Sequence, residues 1–168
     1  SAGCSDGQEP YSFAMILDEL SPGTKHRILA TDLDRESLSK AAAGGPYLAQ
    51  DIRNVPSSLI AKYFTLAGDH YTVNEKIRER VTFSHQDLTR DTFPIGFDLI
   101  SCRNVTIYFS NEAKAIMNAK FYNSLKESGV LFIGATETML NANDIGFQRL
   151  LSCFYKKIST RTGTVPAP

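Results

Sequence analysis

Four short stretches carry most of the residues that could do chemistry. The chain opens with SAGCSDGQEPYS (Ser1–Ser12), where Gly3 and Gly7 frame a loop and Glu9 adds a charge beside it. Asp32 closes an apolar strand, Asp87-Leu88 follows a second strand, and Arg103-Asn104 follows a third. Glycines let a backbone approach a ligand closely and take up positive φ. An acid at the carboxyl end of a strand commonly accepts hydrogen bonds from ribose hydroxyls. Together these features read as a nucleotide-type site on an open α/β sheet. The sign of the charge narrows the ligand. A carboxylate beside the loop repels a pyrophosphate but suits a ligand carrying an ammonium and a sulfonium. The G-x-G-x-x-G spacing of dinucleotide sites is also absent. Both arguments favour S-adenosylmethionine over NAD. Taken singly, Gly3 and Gly7 could merely shape a loop and Asp32 could cap a helix; only the combination points to a ligand.

Other chemistries fit less well. Gly3-Cys4-Ser5-Asp6-Gly7 matches G-x-S-x-G, the nucleophile elbow of serine hydrolases. The elbow needs a histidine after the final strands, and the last histidine here is His85, with further strands predicted beyond it. His26, His70 and His85 are scattered without metal-ligand spacing, so no metal site is expected. Cys4, Cys102 and Cys153 are odd in number and not closely spaced, which reads as reduced thiols in the cytoplasm. Cys4 precedes a helix that could lower its pKa, so a reactive thiol is the functional alternative there.

These residues need elements to hold them. Pro10 suits the first turn of a helix running to about Leu20, with Phe13, Ile16, Leu17 and Leu20 as its expected buried stripe. Arg27–Thr31 reads as a strand leading to Asp32, and Asp34 caps a helix over 35–43 that Gly44-Gly45-Pro46 breaks. Pro56–Tyr63 reads as a short helix. Tyr63–Leu66 and Tyr71–Val73 read as an antiparallel insertion, and Val81–Ser84 returns to the main sheet. Phe97–Cys102 is a strand. Ser110 caps a helix over about 111–126, with Ala113, Ile116, Met117 and Phe121 inward, and Val130–Ile133 is an apolar strand. A hairpin pairs a strand near Phe147 with Cys153–Ile158, and the tail 159–168 is expected to fray. Alternating strands and helices imply a parallel sheet with right-handed crossovers.

Composition sets the bounds. The 168 residues suffice for one well-cored domain, and 18 basic residues balance 18 acidic ones, so bulk charge gives no pull toward nucleic acid. No apolar run approaches the ~20 residues of a bilayer span, and no leader pattern indicates export.

SAGCSDGQEPYS, ATDLD (Ala30–Asp34), FDLISCRNVTIYF (Phe97–Phe109) and GVLFIGATET (Gly129–Thr138) resemble, in order, the motifs of the CheR-type chemoreceptor methyltransferases. The resemblance implies a class I S-adenosylmethionine-dependent methyltransferase sheet, Rossmann-like, with a small antiparallel β insertion. It implies methyl ester formation on glutamate side chains of chemoreceptors in the cytoplasm. By motif match, Glu9 and Asp32 hold cofactor, Ala2 and Gly3 add backbone contacts, Asp87 and Leu88 flank the adenine, and Arg103 and Asn104 line the cofactor and acceptor edge. A glutamate carboxylate is already ionised near neutral pH, with an ordinary pKa of ~4.3, so no general base is expected. Arg103 or Tyr108 is expected to orient the acceptor; each could equally be structural.

The expected organisation is a methyltransferase domain over 1–158, with the β insertion at about 63–79. The family's N-terminal helical domain and the first strand of its sheet are expected to be absent. Other departures are Gln8 where a glutamate is usual, Glu127-Ser128 in place of Pro-Gly, and Gly134-Ala135-Thr136-Glu137 in place of Gly-His-Ser-Glu. The short loop 66–71 resembles the type that does not depend on a receptor pentapeptide. A non-catalytic cofactor-binding signalling module of the same fold is the alternative function. A more distant one is a methyltransferase of small-molecule acids.

Overall fold

A computed structural model describes residues 1–158, Tyr108 by its backbone alone. The fraying expected of 159–168 lies outside the described residues. The chain divides into two compact units: Ser1 with residues 3–87, and Ala2 with the residues from Leu88 on.

In the first unit, helix α1 (Gln8–Leu20) leads to strand β1 (Ile28–Asp32) and helix α2 (Arg35–Ala43). The cap on α2 is the expected one: Asp34 accepts from the amides of Glu36 at 2.8 Å and Ser37 at 3.4 Å. These bonds hold the Asp34 carboxyl below its ordinary range. Gly44, left-handed at φ 80°, ends the helix. Strand β2 (Tyr47–Leu48), helix α3 (Ser57–Tyr63), strands β3 (Phe64–Ala67) and β4 (His70–Val73), and the turn of helix α4 (Glu75–Arg78) follow. Strand β5 (Val81–His85) then pairs in parallel with β1, Asp32 opposite His85. The insertion is an antiparallel sheet in the order β2-β4-β3. It recruits β2 from upstream of 63–79.

The buried face of α1 is not the expected one. Tyr11, Ala14, Met15 and Asp18 face the core, whereas Ile16 is 49% and Leu20 77% exposed. Both stripes have helical spacing. The one that wins carries an acid, which reads as a surface residue until its partners are known. Asp18 accepts from the Tyr63 hydroxyl at 2.8 Å, Lys76 at 3.0 Å and Arg80 at 2.5 Å. A buried carboxylate with such partners is tolerated.

In the second unit, strand β6 (Phe97–Cys102) pairs in parallel with strand β7 (Leu125–Ile133). Between them lie a 3-10 turn (Thr106–Tyr108) and helix α5 (Asn111–Ser124), capped by Ser110, whose Oγ accepts from the Ala113 amide at 3.3 Å. The short helix α6 (Ala142–Ile145) precedes strands β8 (Phe147–Leu151) and β9 (Phe154–Lys157), giving the sheet order β6-β7-β9-β8. Met117 and Phe121 of α5 are buried as expected, but Ile116 is 58% exposed. The helix also stops at Ser124, because Leu125 already pairs with Phe97. Ser128 takes φ 64° where glycine is usual. The main strands thus form two sheets, one in each unit, rather than one continuous sheet.

Candidate functional site

In the first unit the Gly3–Gly7 loop is fixed at almost every residue. The Gly3 and Cys4 amides both donate to the Thr31 carbonyl, at 2.8 and 2.9 Å, and the Gly7 amide donates to the Cys4 carbonyl at 3.0 Å. The Ser5 amide donates to Asp32 Oδ2 at 2.7 Å. The Tyr47 hydroxyl donates to the Asp6 carbonyl at 2.6 Å, and Lys40 Nζ to the Asp6 carboxylate at 2.6 Å. Gly7 sits at φ 91°, and a Cβ there would stand 2.9 Å from the Ala41 Cβ, so the loop closes onto α2 only because the residue is glycine.

Asp32 is half-buried at the end of β1. Its Oδ1 accepts from the Asp34 amide at 3.0 Å, so each carboxylate oxygen holds one backbone amide. A carboxylate offers about four acceptor sites, which leaves capacity for ligand hydroxyls. The helix cap is Asp34, not Asp32. Glu9 Oε1 accepts from the Ser1 hydroxyl at 2.7 Å. The β1–β5 ladder runs one residue past the strand end, where the Gln86 amide donates to the Asp32 carbonyl at 2.9 Å, and half-buried Asp87 follows.

Cys4 reports the electrostatics of this loop. Burial, reinforced by the Asp32 and Glu9 carboxylates, pushes its thiol up to about 12. The thiol is also buried, which argues against a reactive thiol there. Both acids meet the opening loop, Glu9 through the Ser1 hydroxyl and Asp32 through the Ser5 amide. Ser5 meets Asp32 through its amide, not its hydroxyl.

In the second unit, the Ala2 amide donates to the Ser101 carbonyl at 2.7 Å, and Leu88 is buried in the core. The exposed Arg103 places its guanidinium 4.9 Å from the centroid of the Phe132 ring, which stacks on Phe154 at 4.4 Å. Asn104 adopts φ 60°, a left-handed conformation that asparagine tolerates. Tyr108 ends the 3-10 turn; its side chain lies outside the described residues.

Glu137 organises this loop, and the sequence reading gave it no role. Only 7% exposed, its carboxylate accepts from the amides of Asn104 at 2.9 Å, Thr106 at 2.8 Å and Gly134 at 2.7 Å, and from the Thr106 hydroxyl at 2.5 Å. Burial alone would raise its pKa, but the Thr106 hydroxyl and the three amides outweigh it and hold the carboxyl below its ordinary range. A Cβ on Gly134 would stand 2.5 Å from Glu137 Oε2 and 2.7 Å from Asn104 Oδ1, so the clamp needs glycine there. The available signal was a lone acid just after an apolar strand, facing a polar loop whose amides needed acceptors.

Among the described residues no group of His, Cys, Asp or Glu could hold a metal ion, and no helix is long and apolar enough to cross a membrane.

Residues 1–152 match the family described as CheR methyltransferase, SAM binding domain. The chain belongs to this family. A chemotaxis protein methyltransferase of Listeria monocytogenes is 44% identical over 158 residues, which is 94% of this chain and 60% of that protein. One from Borreliella burgdorferi is 37% identical over 164 residues, 94% of this chain and 57% of that protein. This CheR domain therefore spans about 60% of the length of the curated relatives it matches. The crystal structure of a TehB-like SAM-dependent methyltransferase from Corynebacterium glutamicum matches the CheR chain with a TM-score of 0.53 and 17% identity, covering 93% of this chain and 75% of that one. The fold is thus the α/β class I SAM-dependent methyltransferase fold.

Proposed function

We propose that this CheR domain binds S-adenosylmethionine and transfers its methyl group to glutamate side chains of chemoreceptors. Gly3, Glu9, Asp32 and Asp87 are the cofactor-contacting residues of the first unit, and Ala2, Leu88, Arg103 and Asn104 those of the second. The observation that carries this reading is that Glu9 and Asp32 both meet the opening loop, Glu9 through the Ser1 hydroxyl at 2.7 Å and Asp32 through the Ser5 amide at 2.7 Å. A fixed loop under two carboxylates suits a ligand with an ammonium and a sulfonium, and Asp32 keeps acceptor capacity for hydroxyls. The residues present therefore fit the cofactor.

When bound, S-adenosylmethionine would supply an electrophilic methyl group for a glutamate oxygen, with the sulfur released as a neutral thioether. The protein moves no proton in this step, because the acceptor is already ionised at neutral pH. What its residues contribute is alignment and removal of water. Arg103 is suited to orient an incoming carboxylate: it is exposed, always charged, and supported on the Phe132 ring. Tyr108 is assigned the same role by the motif alone.

The partner we propose is a receptor recognised without a C-terminal pentapeptide, and the site of action is the cytoplasm. Strands β3 and β4 are joined by only Gly68-Asp69, which supports a subdomain without an added peptide-gripping loop. The deciding experiment incubates the protein with methyl-labelled S-adenosylmethionine and a receptor cytoplasmic fragment. Label on receptor glutamates, released as methanol by mild base, supports the proposal. Cofactor binding without transfer overturns it in favour of the signalling module.

A further inference from the structure

We infer that Lys120 is a positioning residue for cofactor binding, holding the segment that flanks the adenine; this rests on the reading just proposed. Lys120 lies on α5, where a half-exposed lysine would ordinarily be a solvated surface charge. Here its Nζ donates to the carbonyls of Leu88 at 3.3 Å, Thr89 at 3.1 Å and Asp91 at 2.9 Å. An ammonium has three N–H donors, and all three are matched. Carbonyl dipoles aimed at one point repel one another unless a cation sits there. The Lys120 ammonium therefore stabilises this bend in the segment after Leu88.

Two further contacts make the arrangement stiff. Lys120 Nζ stands 5.1 Å from the centroid of the Phe93 ring, and Phe93 packs on the buried Phe121 at 5.2 Å. Leu88 is held from both sides, its side chain in the core and its carbonyl on the ammonium. A residue held by both its side chain and its carbonyl presents its neighbouring amides in one orientation. The second unit thus uses two charges of opposite sign: Glu137 gathers amides of the 104–106 loop, and Lys120 gathers carbonyls of the 88–91 segment. In the proposed function the first holds the loop of the acceptor edge and the second holds the segment that flanks the adenine.

The test is calorimetric. The protein and its Lys120→Met variant are titrated with S-adenosylhomocysteine and with its hypoxanthine analogue, which differs only at the edge of the base. Lys120→Met keeps most of the side-chain bulk and loses the three donors. The expected result is an about tenfold weaker Kd for S-adenosylhomocysteine, or about 1.4 kcal/mol. The analogue should weaken by less than about threefold, since a base whose edge is not read gains little from an ordered segment. Hydrogen exchange of the 88–92 amides should quicken. Should Lys120→Met not fold, Lys120→Gln, which keeps two donors without the charge, gives the same comparison. An unchanged Kd, or equal weakening of both ligands, would overturn the inference while leaving the function intact. Failure of the unaltered protein to bind either ligand would remove both.

Discussion

Glu137→Gln tests how the Arg103–Tyr108 loop is held. The carboxylate accepts four hydrogen bonds within 2.5–2.9 Å in a site only 7% exposed. A glutamine keeps one acceptor oxygen but turns an NH2 group toward backbone donors. At least one buried amide loses its partner, and a second faces another donor. Hydrogen bonds to charged groups are worth about 1.5–3 kcal/mol each, and a buried donor left unsatisfied costs about 1–3 kcal/mol. The four bonds share one carboxylate and do not add in full, so the expected loss is about 3 kcal/mol. For a chain of this size that is a fall in Tm of roughly 6–12 °C. Thermal unfolding followed by circular dichroism measures it directly. The pH dependence gives a second reading. Glu137 has its folded pKa depressed, so its stabilisation is fully present above the unfolded value of ~4.3 and is lost as pH falls through the folded value below that. The gap in Tm between the protein and Glu137→Gln should therefore be constant from neutral pH to about pH 5 and narrow below about pH 4. A variant melting within about 2 °C of the protein at neutral pH would refute the clamp.

Two further changes probe the first unit. Gly7→Ala places a side chain at φ 91° and 2.9 Å from the Ala41 Cβ, and the strained backbone and overpacking together should cost about 3 kcal/mol by chemical denaturation; a loss under about 1 kcal/mol would mean the loop shifts freely. Asp18→Ala strips a buried carboxylate from Tyr63, Lys76 and Arg80 and should cost about 3 kcal/mol, less than a fully buried network because Lys76 is largely exposed. The Tyr63 hydroxyl first, then Lys76 and Arg80, lower the Asp18 pKa, so the deficit should shrink only as pH falls below about 4; equal stability at pH 7 would refute the network.

The parts of the fold legible in the sequence are those punctuated locally. Helix α2 runs from 35 to 43 as expected because Asp34 and Gly44 mark its ends chemically, and β6 was bounded by its own apolar run. The reading failed where a side chain's partner came from elsewhere in the chain. Asp18 looks like a surface acid, yet it is buried because Tyr63 and Arg80 arrive from residues far along the sequence; by apolar spacing alone Ile16 and Leu20 look like the inward face. Strand β2 is two residues long and has no periodicity to detect. Leu125 continues straight from helix to strand without a breaker, so the sequence pattern carries α5 on past Ser124. At the candidate site, Asp32 and the 103–104 loop stand out in the sequence because strand ends announce them, and Glu9 because it follows the glycine loop at the start of α1. Glu137 does not, because its role is to satisfy backbone amides, and those carry no letter in the sequence.

The most direct measurement is a calorimetric titration with S-adenosylmethionine of the protein, Glu9→Gln and Asp32→Asn. Each exchange keeps the shape and removes one negative charge. The account predicts one-to-one binding to the unaltered protein, weakened about tenfold or more in each variant, since charge-assisted hydrogen bonds are about twice as strong as neutral ones. Equal affinity in all three proteins, or no binding to the unaltered one, would contradict it.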